Sequence, residues 1–103
     1  MTATGFLSVS PNVEESMATE IASAVDELDS FDIEYETTPE GTILEADDVS
    51  ELFAAAQAAH EAVDADRVGT FLKIDDKRTS TRPASAKVDA VEDELGRKAT
   101  SRR

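Results

Sequence analysis

The sequence predicts an α+β chain in which four strands form one antiparallel sheet, two helices cover one of its faces, and a third helix follows. Three observations carry this. Apolar residues alternate with polar ones in two short segments and two more short segments have extended character, apolar residues recur every three to four residues in two longer ones, and the segments succeed one another as strand, helix, strand, strand, helix, strand. At 103 residues, 40% hydrophobic and 32% charged, the chain has the size and balance of one globular domain.

Each element has its own signature. Phe6-Leu7-Ser8-Val9-Ser10 alternates and stops at Pro11, which has no amide hydrogen to pair. Asn12 and Glu15 have capping-box spacing, and Met17, Ile21, Val25 and Leu28 then mark one face of a helix over about residues 13–29. Ile33 to Thr37 alternates again, Pro39-Glu40-Gly41 supplies a turn with Gly41 expected at positive φ, and Thr42 to Glu45 completes a hairpin. Asp48 and Glu51 form a second capping box. Val49, Leu52, Phe53, Ala56 and Val63 mark the apolar stripe of the second helix, and Val68 to Ile74 is the fourth strand. This βαββαβ order is the ferredoxin-like split βαβ unit, with sheet order 4-1-3-2. It occupies residues 1–78. Residues 79–103 hold a linker, a third helix over 84–97 marked by Val88, Val91 and Leu95, and a basic tail from Arg97 to Arg103.

Charge narrows the function. Residues 1–66 carry 17 acids and no Lys or Arg, whereas residues 67–103 carry 10 cations against 6 acids. A chain this acidic repels nucleic-acid phosphates and anionic membrane surfaces, so neither is an expected partner. Many acids, few lysines and abundant alanine suggest a halophilic protein of a salt-rich cytoplasm, where the excess charge is screened. There is no cysteine, which removes disulfides, thiol catalysis and zinc thiolates. MTATGFLSVS lacks the charged and apolar regions of a secretory signal, so the expected location is cytoplasmic.

Strand parity leaves one sheet face without helices. Leu7, Val9, Ile33, Tyr35, Leu44, Leu72 and Ile74 belong under the helices. Phe6, Ser8, Ser10, Glu34, Glu36, Ile43, Glu45, Phe71, Lys73 and Asp75 belong on the other side. That face is too apolar for bare solvent and too polar for a dry core, so it is expected to pack on a second copy; that it also lines a small-molecule pocket is an alternative that composition alone does not favour. Catalysis finds little support. No arginine precedes residue 67, which removes an acylphosphatase-like site, and a Glu45 and Asp75 carboxylate pair has no nucleophile or oxyanion signature beside it. Asp75-Asp76 with Glu45 follows no recognised metal-loop spacing, so no metal is expected. His60, the lone histidine, reads most simply as a packed, hydrogen-bonded side chain at the edge of the second helix's stripe.

Three stretches together carry a resemblance: Tyr35 to Glu45 with its Gly-Thr-x-x-Glu hairpin, Ala58-Ala59-His60-Glu61-Ala62, and Asp66-Arg67-Val68 followed by Leu72-Lys73-Ile74-Asp75-Asp76-Lys77-Arg78. Over about residues 6–78 the chain resembles the small, YkoF-like thiamine-binding protein family. The resemblance implies a ferredoxin-like subunit, assembly into dimers and tetramers through sheets, and thiamine or its hydroxymethylpyrimidine moiety as a non-covalently bound ligand, without catalysis and without another cofactor. Members usually follow the first-strand proline with a glycine-containing loop, and here Pro11 is expected to lead straight into the helix through a trimmed loop.

A cationic thiazolium and an aminopyrimidine call for carboxylates, hydroxyls and an apolar wall. Glu45 and Asp75 are the candidates for the amino group and positive charge, with Glu36 nearby. Ser8 and Thr38 are candidates for ring nitrogens, Phe71 for stacking, and Lys73 for pairing with Glu45. With Glu36, Glu45 and Asp75 opposed only by Lys73 and no phosphate cradle in the sequence, free thiamine is expected to bind better than its diphosphate. The alternative is a structural or regulatory oligomeric module of the same fold without a vitamin ligand.

Overall fold

The structure, a computed structural model, describes residues 2–102. Arg103, the last cation of the expected basic tail, lies outside the described residues. The elements run β1 (Thr2–Pro11), α1 (Ala18–Glu27) continued by a 3-10 turn (Leu28–Ser30), β2 (Glu34–Thr37), β3 (Thr42–Ala46), α2 (Val49–Glu61), β4 (Val68–Lys77) and α3 (Ser85–Leu95). Neighbouring strands are antiparallel in the order β2-β3-β1-β4, which is the expected ferredoxin-like arrangement. β1 and β4 outrun their sequence bounds because they pair along their whole length, from Thr2 opposite Lys77 to Pro11 opposite Val68.

The core lies between the sheet and the first two helices. Ala3, Leu7, Val9, Leu44 and Ala46 rise from the sheet to meet Ala24 and Leu28 of the α1 region and Leu52, Ala55, Ala56 and Ala59 of α2. The small alanines let α2 lie close to its neighbours. Leu28, Leu44 and Leu52 are fully buried, and each stabilises the fold by about 2 kcal/mol relative to exposure. Leu52 packs over Gly5: a Cβ built there would meet its Cδ1 at 3.6 Å, an ordinary contact.

Several local expectations are corrected. α1 begins at Ala18 rather than residue 13, because Asn12 is still engaged with β4: its amide donates to the Arg67 carbonyl at 2.8 Å, and Val13 N donates to the Pro11 carbonyl. A loop over residues 12–17 therefore exists, and Ser16 Oγ, not Asn12, accepts from the Ala18 amide. In α2, Asp48 caps as expected, accepting from Ser50 N at 2.9 Å, which together with the Ser50 hydroxyl holds its carboxyl below the ordinary range. Glu51 does not close the box; it accepts from the Asp32 amide. Phe53 faces outward at 59% exposure, and Leu52, Ala55, Ala56 and Ala59 form the true buried stripe.

Gly41 does not take positive φ, which among the described residues belongs to Gly96 alone, at the C-terminus of α3. A Cβ on Gly41 would lie 2.7 Å from Phe6 Cζ and 2.8 Å from the Leu7 carbonyl oxygen. Close approach to β1 is therefore its role. Tyr35 shares the helix side with Leu44, its partner in register, but on the edge strand it remains 37% exposed. Its hydroxyl donates to Asp29 Oδ1 at 2.5 Å, and this bond, aided by partial desolvation and the Asp29 and Asp26 charges, raises the phenol above its ordinary pKa.

Candidate functional site

The strand registers lay out the helix-free face in rows. Glu34, Glu45, Thr4 and Asp75 form one row across β2, β3, β1 and β4, and Glu36, Ile43, Phe6 and Lys73 form the next. Thr2 with Lys77 lies beyond the first row, and Ser8 with Phe71 beyond the second. Successive rows are about 6.8 Å apart along a strand. Phe6 and Phe71 meet edge to face with ring centroids 6.2 Å apart.

After β4 the chain returns over this face. Glu45 Oε2 accepts from the Ala84 amide at 3.1 Å, which ties the start of α3 to the sheet. Between them is a cleft of about 520 Å³, within the range of small-molecule sites. Its floor includes Thr4, Phe6, Ile43, Lys73, Asp75 and Lys77, and its roof includes Arg82, Pro83 and Lys87.

The candidate residues divide between places. Lys73 and Asp75 line the cleft, and Glu45 stands at its edge. Glu36, Ser8 and Phe71 share the sheet face outside the cleft, with Phe71 60% exposed. Thr38 belongs to the β2–β3 turn, where its hydroxyl donates to the Gly41 carbonyl at 2.8 Å and accepts from the Glu40 and Gly41 amides. Ser8 and Thr38 instead border a groove of about 190 Å³ beside Met17 and Ile21, small for a two-ring ligand. Lys73 and Glu45 do not pair, because β1 lies between their strands and they stand in different rows; the ion pairs among the described residues are Arg78 with Asp76 and Lys98 with Glu92.

The charge of the cleft differs from the sequence expectation. Lys73 is joined by Lys77, Arg82 and Lys87, whereas of the three expected carboxylates Asp75 lines the cleft, Glu45 is tied to Ala84, and Glu36 lies outside. Lys77 follows from parity once β4 is extended. Arg82 and Lys87 had no signal, since nothing local shows that the linker folds back. Asp75 and Asp76 point to opposite faces, as neighbours on a strand must. Asp76 has one oxygen 3.4 Å from Arg78 Nε and the other buried without a hydrogen-bond partner. Among the described residues no three His, Asp or Glu side chains group as metal ligands. His60 bonds through Nδ1 to Thr70 Oγ1, linking α2 to β4 on the helix side of the sheet. No described helix is long and apolar enough to cross a membrane.

Comparison with known proteins agrees with this architecture. The chain is 43% identical over 83 residues to a UPF0045 protein of Methanothermobacter thermautotrophicus, covering 78% of this chain and 84% of that one. The UPF0045 protein MJ1052 of Methanocaldococcus jannaschii is 32% identical over 78 residues, covering 74% of this chain and 77% of that one. Its crystal structure matches with a TM-score of 0.80 at 29% identity, over 87% of this chain and 95% of that one. A Thermotoga maritima protein assigned provisionally to thiamine biosynthesis or salvage matches with a TM-score of 0.75 at 23% identity, over 88% of this chain and 99% of that one, a likeness of fold. The model of the family described as thiamine-binding protein matches residues 6–92, which takes in most of the sheet, both core helices and the roof of the cleft, and the chain belongs to that family.

Proposed function

We propose that this protein binds thiamine or its hydroxymethylpyrimidine moiety, without transforming it, as a cytoplasmic homo-oligomer. The observation that carries the reading is the cleft on the helix-free face, in a chain of the thiamine-binding protein family. Phe6 and Ile43 offer a wall for flat rings, Asp75 a carboxylate for the amino group and cationic ring, and Thr4 a hydroxyl in the same row. Of the hydroxyls that line the cleft, Thr4 Oγ1 donates to the Asp75 carbonyl and Ser80 Oγ accepts from the Arg82 amide, so both are engaged with backbone groups, which supports binding over catalysis.

A tetramer built as a dimer of dimers is supported by apolar side chains left in solvent. Phe71, Phe53, Ile43, and Val88, Val91 and Leu95 on one stripe of α3 are all at least 40% exposed. These same residues favour the second reading, an assembly module without a vitamin ligand. Calorimetric titration with thiamine in molar salt separates the two. Heat from thiamine and from hydroxymethylpyrimidine, with none from unrelated amines, is the expected result; silence at millimolar ligand refutes the first reading. Light scattering should give a tetramer, which Phe71→Asp splits, because a carboxylate buried unpaired is strongly unfavourable. A monomeric mass for the parent chain would remove the assembly.

A further inference from the structure

Residues 1–66 hold no cation, and apart from the basic tail from Arg97 the cations of the remaining chain gather mainly at this cleft. Of its 10 cations, Lys73, Lys77, Arg82 and Lys87 line this one feature, while of its 23 acids Asp75 alone does so, with Glu45 at the edge. None of the four cations forms an ion pair among the described residues, although acids surround them in the chain. The Glu45 carboxylate stands at the edge, where its Oε2 accepts from the Ala84 amide.

We infer that the cleft receives a phosphorylated ligand, its phosphoryl or diphosphoryl group seated among Lys77, Arg82 and Lys87 and its ring portion against Phe6 and Asp75. The ring portion rests on the thiamine reading; the phosphoryl seat does not. Lys77 lies about 6.8 Å along β4 from Asp75, so a molecule with a cationic ring at one end and an anionic group at the other meets complementary charge at both. Arg82 and Lys87 come from the roof, so an anion bridging roof and floor also closes the cleft. The net charge of −13 opposes an anion only at long range. At physiological salt the screening length is about 8 Å, so the groups lining the cleft outweigh the distant acids.

The test titrates the full chain with thiamine, thiamine diphosphate and inorganic pyrophosphate at two salt concentrations. The expected result is diphosphate tighter than thiamine by about tenfold at about 0.1 M salt, the preference narrowing as salt rises. Arg82→Gln and Lys87→Gln, both at exposed positions, should each weaken binding of the diphosphate, and of pyrophosphate, by about tenfold. Thiamine bound as tightly as the diphosphate, or diphosphate affinity unmoved by both variants, overturns the seat and leaves the vitamin reading standing. Pyrophosphate binding weakened by the variants, with no thiamine binding and no advantage for the diphosphate, supports the seat and removes the vitamin reading. Binding of none of the three overturns both.

Discussion

Replacing Gly41 with alanine tests the contact between the hairpin turn and the central strand. The new Cβ would stand 2.7 Å from Phe6 Cζ and 2.8 Å from the Leu7 carbonyl oxygen, both inside contact distance. The ring can swing away. The carbonyl cannot move freely, because Leu7 pairs with Thr42 on one side and Leu72 on the other. Overpacking of this kind destabilises by about 1–3 kcal/mol. Since Gly41 is not at positive φ, loss of chain entropy in the unfolded state acts the other way, stabilising by about 0.4–1 kcal/mol. The net expectation is a loss of about 1–2 kcal/mol, or roughly 5–10 °C in melting temperature. Urea denaturation should show a lower midpoint at unchanged slope. A variant as stable as the parent, or more so, would refute the steric argument. Adding Phe6→Leu apportions the effect: a cost that disappears belongs to the ring, and one that persists belongs to the carbonyl.

Other outcomes follow from features already described. Leu52→Ala should cost about 2–5 kcal/mol, because the side chain is fully buried above Gly5; a loss under about 1 kcal/mol in denaturant titration would mean that α2 settles into the space. The Asp48 carboxyl is held below its ordinary 3.8, so its contribution is present above that pH and is lost as pH falls through the folded-state value. Asp48→Ala should therefore lower the melting temperature at about pH 7 and much less at about pH 2, and an equal drop at both would deny the charge any part in the cap. The melting temperature should also rise with salt, as the screening length shortens from about 10 Å at 0.1 M to about 3 Å at 1 M and relieves repulsion among the acids of residues 1–66. A flat response would contradict the picture of unscreened acids.

The architecture was legible because both of its periods are clean. Leu7 and Val9 against Phe6 and Ser8 gave the two faces of β1, and the same parity placed Glu45, Lys73 and Asp75 together on the helix-free face. Local signals failed where a distant segment decided the outcome. Asn12 has every mark of a helix cap, yet Arg67, 55 positions later, claims its amide. Gly41 has the look of a turn glycine, yet the Phe6 ring and the Leu7 carbonyl explain it. Phe53 is the most apolar residue near the start of α2, yet small alanines face the sheet and the ring is turned out. Thr38 was a ligand candidate by type, and the turn uses its hydroxyl. Half of the cleft's charge was invisible for the same reason: Arg82 and Lys87 acquire meaning only once the linker doubles back and Glu45 holds Ala84.

The alternation of strand residues between faces also makes this chain a convenient receptor for redesign. Positions 4, 6, 43, 73, 75 and 77 meet the cleft, while their neighbours 3, 7, 44, 72 and 74 hold the helices. Exchanging Lys73 and Lys77 for acids, or enlarging the space by trimming Ile43, alters what the cleft accepts while leaving the helix-side residues in place. Cargo and scaffold can therefore be tuned as separate variables within the same short strands.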